Sequence, residues 1–198
     1  FQPFVISAVD SPRILVAVGT MTTAAYSKWG GKSLYTGVDR TASSRATTIS
    51  LRRPVSVGSI RSLAAFANAS EKHEYSIGYI QDLDLDLSYT VNNILDSPPS
   101  VLVFPEHSEY FTLAMRKNLE SIIDEGVNIA FLSANSIHWP TTINRNSKTG
   151  AVSSLYVNKR LGTFRQAGMY EQSIVGQGYV AYDCYPTDLQ LPDPRNWL

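Results

Sequence analysis

The stretch VLVFPEHSEYFT, residues 101–112, joins an apolar run to several titratable side chains. Glu106, His107, Glu109 and Tyr110 follow the run within a few positions of a proline. Carboxylate and phenolate oxygens suit a hard, highly charged cation such as Fe(III), and an imidazole can accept or return a proton. The alternative is a polar loop without chemistry, and the elements that position these residues decide between the two interpretations.

Apolar spacing predicts alternating strands and helices before residue 140. Short apolar runs closed by polar residues predict strands that are buried on both faces. One-sided apolar patterns predict helices over 59–74 and 112–126, the second capped by Thr112 and ended by Gly126. This order predicts βαβ units and a mostly parallel sheet flanked by helices, an α/β fold. The predicted strands are Ile14–Val18, Tyr75–Ile80, Val101–Phe104 and Val127–Asn135.

We predict a single α/β domain over residues 1–198, because 198 residues suffice for one buried core and are few for two. Residues 1–139 would form its core. Residues 140–198 would form a β-rich extension or irregular edge, with short runs SSLYV, GTFRQ and YVAYD. The segment MTTAAYSKWGGKSLYTG, after the first strand, is predicted to be a long aromatic loop.

Composition excludes several classes of function. The 17 basic and 17 acidic residues balance, which argues against nucleic acid as a partner. The longest apolar runs fall far below the roughly 20 residues of a membrane span, so we expect a soluble protein. A single cysteine, Cys184, excludes an internal disulfide and a cysteine-rich zinc site. The sequence gives no compartment, and its start at Phe1 leads us to expect a processed, excised or incomplete product.

Polar side chains follow the carboxyl ends of the predicted strands. In open α/β sheets, ligands bind in the crevice outside these ends. If the strands are parallel, we therefore expect the polar groups to gather along one rim. The residues concerned are Tyr26, Asp82, Asp84, His107, Glu109, Tyr110 and Asn135.

Such a rim could hydrolyse an amide. Glu109 and a phenolate from Tyr26 or Tyr35 would hold the metal, and a strong Lewis acid is needed because the tyrosine pKa is ordinarily about 10. A metal with open positions polarises a carbonyl and supplies hydroxide near neutral pH. His107 would transfer the proton, and Asn135 would orient substrate or water.

Each of these residues also has a structural interpretation. Glu109 lies just before a predicted helix, where it would favour the helix dipole. His107 and Asn135 could stabilise turns. Ser108 is not a serine-nucleophile elbow, because the flanking glycines of that motif are missing, and Cys184 has no histidine near it in the sequence.

The aromatic loop and the aspartates have structural interpretations too. Tyr26, Trp29 and Tyr35 could fill the core beneath the loop, with the glycines of WGG present for backbone freedom. The aspartates of DLDLD, residues 82–86, alternate with leucines and could form a solvated face.

Several motifs together resemble a known family. AYSKWGGKSLYTG resembles the loop AYNxWGGxSLY of proteins related to the large subunit of N,N-dimethylformamidase. VFPEHSEYFTLAMRKNLESIIDEGVNIAFLSANSIHW resembles that family's GHxEYW…MRxxLExxxxxGxNxAFxxGNxxYW, and YSIGYIQDLDLD is similar to its strand ending in DxD. The resemblance covers roughly residues 4–139 in consistent order, with a weaker echo in YEQSIVGQGY.

The resemblance implies a class I glutamine-amidotransferase-like, flavodoxin-like α/β fold. It also implies a mononuclear iron held by two tyrosines and one glutamate, and hydrolysis of a small N-alkylated formamide. By motif, Glu109 matches the glutamate ligand and Tyr26 one tyrosine ligand, whereas His107 and Asn135 match positions near the substrate. The second tyrosine ligand has no matching position and would lie upstream.

Two positions depart from the resembled motifs. Glu106 and Ala134 stand where the family usually has glycine. If either glycine adopted a positive φ, a side chain there would strain the site. Glu106 also adds a second carboxylate near Glu109, which could repel substrate, raise a pKa or act as a substitute ligand.

We therefore predict an iron-dependent hydrolase of a carbon–nitrogen bond in a small amide, with Tyr26 and Glu109 as metal ligands and His107 and Asn135 as catalytic residues. The alternative is a non-catalytic binding or assembly module that retains the fold. Its support is the two replaced glycines, the unmatched tyrosine and the tail GYVAYDCYPTDLQLPDPRNWL, which would dock onto a partner in an oligomer of like or unlike chains. A metal-free amidase would need a nucleophilic cysteine, which PEHSEY does not offer.

Overall fold

The structure is a computed structural model that describes residues 12–54 and 61–178. The strands are β1 Ile14–Val18, β2 Thr48–Ser50, β3 Ile77–Gln81, β4 Val101–Phe104, β5 Tyr110–Phe111, β6 Asn128–Phe131, β7 Trp139–Pro140, β8 Thr142–Arg145 and β9 Val152–Tyr156. The helices are α1 Thr20–Tyr26, α2 Arg61–Lys72, α3 Ser88–Asp96, α4 Leu113–Asp124 and α5 Gln172–Val175. Short 3-10 helices cover Asp82–Asp86, Lys159–Leu161 and Arg165–Ala167.

Four parallel strands form the central sheet in the order β3-β1-β4-β6. The two middle strands are apolar along their length because helices and loops cover both faces, and Val16, Leu102 and Phe104 are fully buried. The predicted α/β class with a parallel sheet is confirmed. All four carboxyl ends lie at one edge, which is the edge where the sequence placed its polar residues.

Helix α4 forms as its sequence predicts. The Thr112 hydroxyl accepts a hydrogen bond from the Met115 amide at 3.0 Å and caps the helix. Met115, Leu119 and Ile122 recur on one face and are fully buried, and each such side chain contributes about 2 kcal/mol of burial free energy. Gly126 ends the helix region with φ +90°, a value that favours glycine.

Two predictions about local structure were wrong. The segment after β1 is not all loop, because its first six residues, with Thr20 before them, form α1 before the chain opens into the WGG turn. GTFRQ is not a strand, because Gly162 and Gly168 both have positive φ and enclose the 3-10 helix Arg165–Ala167. The run YVAYD lies outside the described residues.

The C-terminal part adds a second, antiparallel sheet in the order β2-β9-β8. Ile49 and Leu155 pair across it and are buried in the same apolar cluster as Leu102 and Leu119 of the central layer. The expected extra β-structure after residue 140 is therefore present. A separate pairing, β5 with β7, places Tyr110 beside Trp139.

Candidate functional site at the carboxyl edge of the sheet

The segment after β4 is held against the segment after β6. Because these two strands are neighbours and parallel, their following loops run side by side and pair through hydrogen bonds. The bonds are Ser133 Oγ to Glu106 O at 2.8 Å, His107 Nδ1 to Ala134 O at 2.8 Å, Ile137 N to Ser108 O at 2.8 Å, His138 N to Glu109 O at 2.9 Å and Trp139 N to Glu109 O at 2.8 Å. This ladder fixes the backbone on both sides of Glu109.

Glu109 is buried, with 1% of its surface exposed, and one of its carboxylate oxygens is unsatisfied. Its Oε1 accepts a hydrogen bond from Trp139 Nε1 at 3.0 Å, while its buried Oε2 has no hydrogen-bond partner within residues 12–54 and 61–178. Its amide donates to the Thr22 hydroxyl at 2.9 Å, which ties it to α1. Thr112 caps α4, and Glu109 lies outside the first turn of that helix.

Tyr26 lies at the end of α1, four residues after Thr22 and therefore on the same helix face. Its ring stacks on Tyr35 with centroids 5.0 Å apart. Leu34 anchors the Tyr35 loop, because it is buried and its amide donates to Ala25 O at 2.9 Å. Tyr26 and Tyr35 are 42% and 50% exposed, so they line the site mouth rather than fill the core.

Lys159 joins this cluster and was missed by the sequence analysis. Its ammonium donates to Tyr110 Oη at 2.8 Å. It also lies 4.5 Å from the Trp139 ring, 5.0 Å from the Tyr110 ring and 5.1 Å from the Tyr35 ring. Burial lowers the pKa of Lys159 to about 8 and raises the pKa of Tyr110 above its ordinary range. The sequence VNKRLG carries no motif that could have found it.

His107 and Asn135 meet through Ala134. The carbonyl oxygen of Ala134 can only accept, so His107 Nδ1 carries the proton and, in the neutral ring, Nε2 keeps its lone pair. Asn135 adopts φ +58°, a left-handed conformation that asparagine tolerates well, and its buried Oδ1 has no partner. Asn135 therefore both forms a turn and presents an unsatisfied acceptor.

The departures at Glu106 and Ala134 introduce no backbone strain, because neither residue has a positive φ. The Glu106 carboxylate is buried and accepts from the Gly19 amide at 3.2 Å, on the β1 side of the rim. Burial raises its pKa, the hydrogen bond from Gly19 opposes that rise, and Glu109 does not contribute. A Cβ at Gly19 would come within 3.1 Å of His107 O, so Gly19 permits this close approach.

Asp82 is not part of a solvated face, since its exposed fraction is 0%. It begins the 3-10 helix Asp82–Asp86 and accepts hydrogen bonds from the Thr20 hydroxyl at 2.5 Å, the Leu83 amide at 2.8 Å and the Met21 amide at 3.2 Å. Burial raises the pKa of Asp82 to about 7. Asp82 therefore fastens α1 to the end of β3.

The side chains present fit a hard cation better than a soft one. Within residues 12–54 and 61–178, no three side chains of His, Cys, Asp and Glu gather closely enough to hold a metal. Among the described residues, the buried acceptors without a partner at this edge include Glu109 Oε2, Glu106 Oε1 and Asn135 Oδ1. The charges of Glu109, Tyr26 and Tyr35 all act on Tyr110, so their oxygen atoms share one neighbourhood. An all-oxygen set of carboxylate and phenolate is the kind that Fe(III) accepts.

The fold and this carboxylate–tyrosine cluster define an α/β protein whose candidate site lies at the carboxyl edge of a parallel sheet. The whole chain, residues 1–198, matches the family described as N,N-dimethylformamidase beta subunit-like, C-terminal, and the chain belongs to that family. No curated protein matches it. No helix in the described ranges has both the length and the apolar character that crossing a membrane requires.

Proposed function

We propose that the protein is a metal-dependent hydrolase of a carbon–nitrogen bond in a small amide. The observation that carries the proposal is Glu109 Oε2, a buried carboxylate oxygen that has no partner among the described residues. It belongs to the same electrostatic cluster as Tyr26, Tyr35 and Tyr110, in a chain of the dimethylformamidase beta subunit-like family. A buried charged oxygen left unpaired is costly, so its retention favours a bound cation.

Glu109 and Tyr26 would hold the metal, for which we propose iron. As a Lewis acid, iron would polarise the amide carbonyl and raise the acidity of water in the site. The lone pair of His107 Nε2 would accept a proton from the attacking water and return it to the amine that leaves as the carbon–nitrogen bond breaks. The Asn135 amide group would orient water or substrate. The indole of Trp139 holds Glu109 Oε1, so Oε2 is the oxygen left for the cation.

We also propose that the chain works as one subunit of an oligomer. The family description names a beta subunit, a term for one chain of an assembly. The competing proposal is a binding or assembly module without activity. The replaced glycines no longer support it, since neither position is strained, and the tail that supported it lies mainly outside the described residues.

The test combines metal content with turnover. We expect the purified chain to contain iron and to release amine from small amides, and we expect Glu109→Gln to lower both by about 100-fold or more, since it removes a charged ligand but keeps the side-chain shape. Glu125→Gln is the matched control, because Glu125 is exposed at the end of α4.

Metal bound equally by wild type and Glu109→Gln would contradict the assignment of this ligand. Wild-type protein that binds no metal and cleaves no amide, while it retains its fold by circular dichroism, would favour the non-catalytic module. Tyr26→Phe, with the exposed Tyr89→Phe on α3 as its control, tests the second ligand in the same assays.

A further inference from the structure

Two cationic side chains near Glu109 form no ion pair among the described residues. Lys159 begins a 3-10 helix after β9, and Arg45 lies on the loop between α1 and β2. The ion pairs in the described ranges are Arg116–Glu120, Arg145–Asp86 and Arg165–Glu171, and they include neither cation. Both side chains are half-buried, so water solvates them only in part.

Lys159 is held in place but not satisfied. Of its three N–H donors, one binds Tyr110 Oη at 2.8 Å, and the described residues offer the other two no acceptor. The rings of Tyr35, Tyr110 and Trp139 surround the ammonium and fix its position. Because the rings hold the ammonium group, the Lys159 side chain has little freedom to rotate out into the solvent.

Arg45 lies close enough for its charge to reach the same cluster. Its charge acts on both Lys159 and Tyr110, and it lowers the pKa of each. Two like charges brought together in a half-buried site repel each other, and an anion bound between them would remove that repulsion. The charge of Glu109 attracts Lys159 and raises its pKa, which offsets part of this repulsion. Among the described residues, however, Glu109 forms no ion pair with either cation, and its Oε1 already accepts from Trp139.

We propose that Lys159 and Arg45 form a subsite for an anionic group of the substrate, so that the amide cleaved at Glu109 carries a carboxylate. The proposal rests on the amide hydrolase proposed above and deepens it by naming the substrate class. An acidic substrate would place its carboxylate on the Lys159 ammonium and its amide beside Glu109, with the Trp139 indole between the two groups. A neutral amide of the same size would leave both cations unpaired.

Binding, measured by calorimetry on the purified full chain, tests this independently of hydrolysis. The matched probes are N-acetylglycine, which carries a carboxylate, and N-acetylethanolamine, which has a neutral hydroxymethyl group in its place. We expect wild-type protein to bind N-acetylglycine at least about tenfold more tightly, and this preference to fall with added salt. Equal affinity for the two probes would overturn the proposal.

Substitutions of Lys159 and Arg45 test whether these two residues bind the carboxylate of N-acetylglycine. Lys159→Met keeps an apolar stem in the aromatic cage, and we expect it to reduce N-acetylglycine affinity about tenfold while N-acetylethanolamine affinity stays unchanged. Arg45→Met should act in the same direction and does not touch the cage. Lys148→Met, at an exposed turn residue, is the control and should change neither affinity. Loss of affinity for both probes, or for neither, in Arg45→Met and Lys159→Met would contradict the subsite.

The two proposals fail separately. Selective carboxylate binding without any amide turnover would contradict the hydrolase and retain the anion subsite. Turnover of N-acetylethanolamine at the rate of N-acetylglycine, with no binding preference, would retain the hydrolase and overturn the subsite.

Discussion

The ends of β3 and β4 both carry a buried acidic residue, and the two are satisfied differently. Asp82, after β3, accepts from a hydroxyl and two backbone amides. Glu109, after β4, has one oxygen hydrogen-bonded to an indole, while the other has no partner in the part of the chain that the structure describes. A carboxyl group whose acceptors are filled from its own chain stabilises the fold, whereas an unfilled acceptor in an equally buried place is available to a ligand.

The largest expected effect on stability is at Asp82. Asp82→Ala would remove the shared acceptor of Thr20, Met21 and Leu83, and we expect the free energy of unfolding to fall by about 3 kcal/mol in urea titrations. Asp96→Ala, on an exposed position of α3, should change it by less than about 0.5 kcal/mol. Turnover per folded molecule should stay as in wild type, and a specific loss of turnover would instead place Asp82 in the reaction.

The second largest effect is expected on metal affinity, when the Trp139 indole that orients Glu109 is replaced. Trp139→Phe keeps an aromatic ring but removes the N–H that Oε1 accepts, so we expect metal affinity to fall about tenfold. Equilibrium metal titration measures this. Phe131→Leu, a change at a half-buried ring of β6 that donates no hydrogen bond to Glu109, is the control for altered packing. An unchanged metal affinity in Trp139→Phe would show that the indole does not position the ligand.

The pH dependence of stability should reveal the buried carboxyl group of Asp82. The folded pKa of Asp82, about 7, lies above the unfolded value of 3.8. The stability that this raised pKa gives the folded state is therefore fully present below about pH 4 and is lost as the pH rises to about 7. Asp82→Asn should remove a slope of about 1 kcal/mol per pH unit in that window. Identical pH profiles for the variant and wild type would show that Asp82 titrates normally.

The smallest effect is expected at Glu106, the position that departs from the resembled motif. Glu106 Oε2 accepts from the Gly19 amide on the β1 side of the rim, and Gln can keep that acceptor, so Glu106→Gln should keep metal content and turnover within about twofold of wild type. Metal analysis of Glu106→Gln and Glu109→Gln under the same conditions compares the two carboxyl groups directly. A loss as large as that of Glu109→Gln would make Glu106 a ligand as well.

The sequence predicted the elements whose signals are local. Strand β1 and helix α4 follow from an apolar run and from a one-sided pattern with a Thr112 cap, and both lie where they were expected. Helix α1 was missed because TMTTAAY is short, rich in threonine and follows a glycine. DLDLD alternates as an exposed strand would, but it folds as a 3-10 helix that buries Asp82.

The candidate site also contains residues that the sequence predicted and one, Lys159, that it did not. Glu109, His107 and Asn135 could be placed at one rim from sequence, because parallel strands bring their following residues together. Lys159 could not, because it reaches Tyr110, 49 residues earlier, only after β9 pairs with β2 and β8. That pairing depends on tertiary packing, which no local pattern encodes.

The most direct test of the central claim is the visible spectrum of the protein with Fe(III). If Glu109 and Tyr26 hold the ion, the wild-type protein should develop a tyrosinate-to-iron charge-transfer band with one equivalent of Fe(III). Tyr26→Phe and Glu109→Gln should lose the band, while Tyr89→Phe and Asp82→Asn keep it. A band of equal intensity in Tyr26→Phe and Glu109→Gln, or no band in wild-type protein that binds iron, would contradict the account.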